Sequence, residues 1–94
     1  MERLGPYRLL GPLGRGGMGQ VFAAVDERLG LEVAVKILLD PRHAARFLQE
    51  ARALHQVDHP GVVRVLAVGS SPPYLVMELL RGETLRQLLR RQGK

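Results

Sequence analysis

Cysteine is absent from the 94 residues, so neither a disulfide nor a thiolate metal site can form. That fits a reducing, cytoplasmic compartment. Tryptophan is absent too, and aromatic residues make up only 4% of the chain. So few rings leave few stacking platforms for nucleic-acid bases, although the formal charge is +5. The arginines behind that charge are spread along the chain. Their one cluster, Arg81, Arg86, Arg90 and Arg91, reads as a solvated helix face, and no nucleic-acid partner is expected. No apolar run reaches the roughly 18 residues a membrane-spanning helix needs. The opening Met1-Glu2-Arg3-Leu4-Gly5-Pro6 lacks the apolar stretch of a signal peptide. A methionine just ahead of the first strand pattern is expected of a true N-terminus. Lysine is scarce, with Lys36 and Lys94 alone.

What is present is a globular composition, 46% hydrophobic, long enough for one small domain. A first strand is expected at Tyr7–Leu13, with Pro12 placing it at a sheet edge or in a bulge. A second is expected from Gly19 to Asp26 and a third from Glu32 to Leu38, separated by a turn ending at Gly30. Asp40-Pro41 has the form of a helix start, an N-cap followed by proline in the first turn. Ala44, Phe47, Leu48, Ala51 and Leu54 then follow at helical spacing, with Glu50 at the margin of their apolar face. Asp58-His59-Pro60-Gly61 ends that helix. Two more strands are expected at 62–68 and 74–78, split by a Ser- and Pro-rich loop. A capping box, Thr84 to Gln87, opens a short last helix with Leu85, Leu88 and Leu89 as its stripe. The expected fold is α+β: a five-stranded antiparallel sheet, one main helix against it, and a short C-terminal helix.

The chemistry lies in Leu13-Gly14-Arg15-Gly16-Gly17-Met18-Gly19-Gln20-Val21, a G-x-G-x-x-G-x-V run. Glycines of this kind let a backbone approach phosphate oxygens closely and offer N–H donors to them. A dinucleotide-binding loop would open a helix after its last glycine. Here Gln20-Val21-Phe22-Ala23-Ala24-Val25 is strand-like, which disfavours that class although Asp40 lies at a suitable distance. A second strand-like run, Val33-Ala34-Val35-Lys36, ends in a lysine that can supply a point charge to phosphates from a rigid strand. His55 and His59 have no partner spacing for metal or catalysis and read as structural, and no metal site is expected.

Together these stretches resemble the N-terminal lobe of a protein kinase, most of all the eukaryotic-like serine/threonine kinases of bacteria. The glycine run resembles the glycine-rich loop, and Gly16-Gly17-Met18-Gly19 has the form common in the bacterial group. Val33-Ala34-Val35-Lys36 resembles the lysine strand, and Phe47-Leu48-Gln49-Glu50-Ala51 the helix with the family's glutamate. His59-Pro60 is similar to the turn after that helix, and Val76-Met77-Glu78-Leu79-Leu80 to the last strand and hinge. The resemblance covers nearly all of residues 7–91.

The resemblance implies that ATP binds with its adenine under Leu13, Val21 and Ala34 and with Met77 as gatekeeper. The Glu78 carbonyl and the Leu80 backbone would bond the adenine edge. Residues Gly14, Arg15, Gly16, Gly17, Met18, Gly19 and Gln20 would cover the phosphates. Lys36 would hold the α- and β-phosphates and pair with Glu50, a pair that opens when the helix swings outward. Leu54 and Val65 would give the lobe's half of a hydrophobic spine. Neither H-R-D-x-x-x-x-N nor D-F-G occurs, so the catalytic base and both magnesium-binding residues of the family have no counterpart here.

The chain is thus expected to be part of a kinase domain: N-lobe, hinge and first helix of the second lobe, without the catalytic lobe. The parent would transfer the ATP γ-phosphoryl, with Mg2+, to protein serine or threonine. The alternative is a non-catalytic module that binds nucleotide or docks another kinase. Gly61 stands where the family often has asparagine. Without a second lobe, the underside of the sheet and the Leu85/Leu88/Leu89 stripe are expected to be exposed and to promote self-association.

Overall fold

The computed structural model describes residues 3–16, 19–38, 40–55, 64–70, 72–79 and 87–88. Its strands are β1 (Arg3–Leu4), β2 (Tyr7–Gly16), β3 (Gly19–Asp26), β4 (Leu31–Leu38), β5 (Val65–Ser70) and β6 (Pro73–Glu78), and its helix α1 spans Ala44–His55. They form one sheet of six strands in the order β1-β2-β3-β4-β6-β5, every neighbouring pair antiparallel. The α+β class stands, with six strands where five were expected. The added β1 is two residues long and pairs Arg3 with Arg8 and Leu4 with Tyr7. Gly5, at φ 58°, makes the turn between them, a conformation that favours glycine. The strand expected at 62–68 is seen at Val65–Ser70, and the link to β6 is correspondingly short.

β4 lies inside the sheet and explains its two cores. Val33, Val35 and Ile37 join Leu4, Tyr7, Ala24 and Val76 on one face. Ala34 and Leu38 join Val21, Val65, Leu75 and Met77 on the other, where Phe47 and Ala51 of α1 also pack. Both faces of β4 are covered, so its sequence reads as a near-continuous apolar run. Alternation along the strand puts Lys36 on the α1 face, with Ala34 and Leu38.

Bulges correct the faces of the outer strands. The β2–β3 register shifts between Leu9 and Gly11 and again between Pro12 and Gly14. Leu9 therefore serves one core and Leu13 the other, although both are odd-numbered, and Leu10 is left half-exposed. Pro12 lies beyond the stretch of β2 that β1 covers, so its missing N–H costs the β1–β2 ladder nothing. In β5 a shift between Val65 and Ala67 turns Leu66 outward in the same way.

Asp40 caps the chain's entry to α1. Its carboxylate accepts from the Arg42 N–H at 3.0 Å, and Pro41–His43 forms a 3-10 turn that runs directly into the helix.

Asp26 closes the β3–β4 turn and is the buried charged residue among those described. It accepts from the Arg28 backbone N–H at 3.0 Å and from the guanidinium at 3.2 and 3.1 Å. Arg28 holds the carboxyl below the usual aspartate range, mainly through the side-chain hydrogen bonds. A depressed folded pKa gives stability that is present above the unfolded value, about 3.9, and lost as pH falls through the folded one. Thermal melts across acid pH are expected to show the Tm falling with pH more steeply in the native chain than in Asp26→Asn. Equal slopes would mean that Asp26 contributes nothing to acid unfolding.

Candidate nucleotide site

The hairpin of β2 and β3 is the structural form of the glycine run. Gly14 pairs with Val21, Arg15 with Gln20 and Gly16 with Gly19, so the turn is strand-to-strand. That geometry removes the dinucleotide-binding alternative, which needs a helix after the last glycine. Gly14 has φ 144°, open to glycine and strained for other residues. Gly17 and Met18, at the tip, lie outside the described residues. Gly19 has a second constraint. A Cβ there would meet the Ile37 carbonyl oxygen at 2.5 Å and Lys36 Cγ at 3.2 Å.

Cross-strand pairing assembles the rest. Val21 sits opposite Lys36, and Lys36 opposite Leu75. Ala34 sits opposite Ala23 on one side and Met77 on the other. Val21, Ala34 and Met77 are all fully buried in the α1-side core, with Leu13 packed against them. Four of the residues expected at the adenine site thus share one face, and Lys36, half-buried, is on the same face beside Val21. An apolar patch next to a strand-borne ammonium can take a flat heterocycle that carries a polyanion. Val65, expected in the spine, is buried in the same core, while the Leu54 side chain lies outside the described residues.

Glu50 does not reach across to this face. Its side chain is half-exposed and pairs with Arg46, one turn back, at 3.3 Å. Phe47 and Ala51 take the sheet-facing positions of α1, and Glu50 falls at the edge between them and solvent. The pair expected between Lys36 and Glu50 is not among the ion pairs of the described residues. Glu78 donates its N–H to the Arg64 carbonyl at 2.9 Å. The adenine contact that the resemblance gives to Glu78 uses its carbonyl, a different group. Leu80 lies outside the described residues. Among the described residues no cluster of His, Asp or Glu is arranged to hold a metal ion. No helix among them is long and apolar enough to cross a membrane.

One residue of this face was not foreseen. Leu88 is fully buried in the α1-side core with Val21, Ala34 and Met77, and Leu79 packs against the same core. Of the stretch expected to form the last helix only residues 87–88 are described, and both are helical. The sequence marks Leu88 as one of an apolar stripe but does not say what the stripe packs on. At this position it packs on the chain's own sheet.

Bacterial serine/threonine-protein kinases are similar to this chain. The chain is 45% identical to the serine/threonine-protein kinase PknA of Mycobacterium tuberculosis, over 96% of its own length and 24% of that protein's. It is 48% identical to the probable serine/threonine-protein kinase SCO3848 of Streptomyces coelicolor, over 94% of its length and 15% of the relative's. Against the DNA damage-responsive serine/threonine-protein kinase RqkA of Deinococcus radiodurans the identity is 44%, over 89% and 14%. The chain spans a quarter or less of each of these relatives. A family model described as protein tyrosine and serine/threonine kinase matches residues 7–94. With that match running from the start of β2 to the last residue, the chain belongs to the protein tyrosine and serine/threonine kinase family.

Proposed function

We propose that this chain is the ATP-binding lobe of a bacterial serine/threonine kinase, acting in the cytoplasm as part of a larger catalytic domain. The supporting observation is the shared face: Lys36 beside Val21, Ala34 and Met77, behind a glycine hairpin. The adenine lies against that apolar patch, and the glycine hairpin and Lys36 meet the phosphates. Magnesium comes with ATP, and the residues that hold it belong to the second lobe. That lobe also supplies the base that directs a protein serine or threonine hydroxyl at the γ-phosphorus.

The Glu50–Arg46 pair is an exposed i,i+4 contact worth only about 0.3–0.5 kcal/mol, so Glu50 loses little in leaving Arg46. A second reading, a non-catalytic docking or nucleotide-binding module, draws on the burial of Leu88 over this same face.

The isolated chain is expected to transfer no phosphoryl group, because the aspartates and asparagine that do so are missing from its sequence. It is expected to bind ATP with a dissociation constant on the order of millimolar, since solvated charge contacts give little. Amide-shift titration of the chain and of Lys36→Ala, with labelled-phosphate transfer in parallel, tests both statements. Lys36→Ala is expected to bind more weakly still, and added salt to weaken the unsubstituted chain. Equal binding by the two chains would remove Lys36 from the site, and labelled product would overturn the role given to the second lobe.

A further inference from the structure

We propose that Leu88 is a built-in competitor of the nucleotide: it covers the adenine face, and ATP binds only as it leaves. The proposal rests on the assignment of this face to adenine.

Three observations carry it. Val21, Ala34 and Met77, the apolar residues assigned to the base, are each at 0% exposure. A ring can stack only on atoms it can reach, so the face as it stands is closed to a base. Leu88, also at 0% exposure, belongs to the same core as these three. It is also far from them in sequence, ten residues after the end of β6 at Glu78, so its place is set by packing and not by strand pairing. A leucine side chain and a purine make the same demand on the face, namely contact with apolar atoms, and they cannot both occupy it.

The consequence is a population tax on binding. Only the fraction of molecules with Leu88 out can take nucleotide, and the apparent dissociation constant rises by the inverse of that fraction. Lys36, on the same face but half-buried, is not enclosed to the same degree. The competition bears on the base and not on the phosphates, so it weakens ATP and adenosine alike and leaves tripolyphosphate untouched.

The test is NMR titration of the chain and of Leu88→Ser with ATP, adenosine and tripolyphosphate. ATP and adenosine are each expected to bind about tenfold more tightly to Leu88→Ser, with tripolyphosphate unchanged. A second measurement needs no substitution. Nuclear Overhauser effects between the Leu88 methyls and the Met77 methyl are expected in the free chain and are expected to vanish at saturating ATP. It decides the matter if Leu88→Ser does not fold. ATP binding with equal affinity to both chains, with the Leu88–Met77 contacts kept, overturns the competition and leaves the nucleotide site standing. Absence of ATP binding to either chain overturns both.

Discussion

Phe47→Ala is expected to destabilise the chain by about 3–5 kcal/mol, the usual cost of deleting a buried phenylalanine. Small domains have a total of about 5–15 kcal/mol, so the variant is expected to be largely unfolded near physiological temperature. Phe47 is one of two phenylalanines in the chain and is 3% exposed. Among the described side chains of α1 it is the large one placed in the sheet's core, beside the much smaller Ala51, with Ala44 packed at the margin. Alanines cannot fill the volume left by a phenyl ring, and the facing Val65, Leu75 and Met77 are held by their own strands. The cavity therefore stays largely open. Urea unfolding followed by far-ultraviolet circular dichroism gives the number. A loss below about 0.5 kcal/mol would mean that α1 is anchored elsewhere, because surface substitutions stay within that size. Phe22→Ala is the comparison: this ring is only partly buried, at the margin of the opposite core, and a smaller loss is expected.

The elements that the sequence made legible are those with a strong period or strong punctuation. β3 and β4 begin and end, and α1 begins, close to where their apolar patterns, Gly30 and Asp40-Pro41 put them, while the helix end expected at Asp58-His59-Pro60-Gly61 lies outside the described residues. The glycine hairpin and the Lys36 strand were legible because they carry both a pattern and a chemistry. β1 was not, because two residues show no periodicity and Arg3-Leu4 gains its partner only through the Gly5-Pro6 turn. Bulges were not, apart from the one that Pro12 signalled. A shift such as that at Leu9 and Gly11 changes which face a residue serves without changing the composition of the strand.

The site divides along the same line. The shared face of Val21, Ala34 and Met77 was readable because they lie on regular strands whose alternation fixes it. Glu50 sits at the boundary of the helical stripe, where it pairs with Arg46. Sequence spacing gives such a residue's position on the helix but not its partner. Leu88 was readable as apolar, and nothing in its neighbours distinguishes packing on a second lobe from packing on this one. Its burial on the sheet runs against the expectation that the Leu85/Leu88/Leu89 stripe stands exposed, at the one stripe residue that is described.

Gly19→Ala is expected to cost about 1–3 kcal/mol of stability, the size of an overpacked site. It is also expected to weaken ATP binding. The two effects have one cause. A methyl group at Gly19 would lie 2.5 Å from the Ile37 carbonyl oxygen and 3.1 Å from its carbonyl carbon. These are backbone atoms of β4, so no rotamer change can relieve the clash. Relief requires β3 to move away from β4 where Gly19 pairs with Leu38, next to the Gln20–Ile37 and Val21–Lys36 pairs. The same methyl would press on Lys36 Cγ at 3.2 Å and shift the side chain that carries the ammonium. Gly11→Ala is the internal control. Gly11 lies on the partner strand of the same hairpin, and a Cβ there would meet nothing within 4 Å. Its substitution is expected to stay within about 0.5 kcal/mol of the unsubstituted chain, as open surface positions do. Urea midpoints and amide exchange at Leu38 separate the two. Gly19→Ala should lower the midpoint and speed exchange at the β3–β4 end, while Gly11→Ala should do neither. Equal behaviour of the two variants would show that β4 yields to the methyl, and that Gly19 serves only the approach of phosphate.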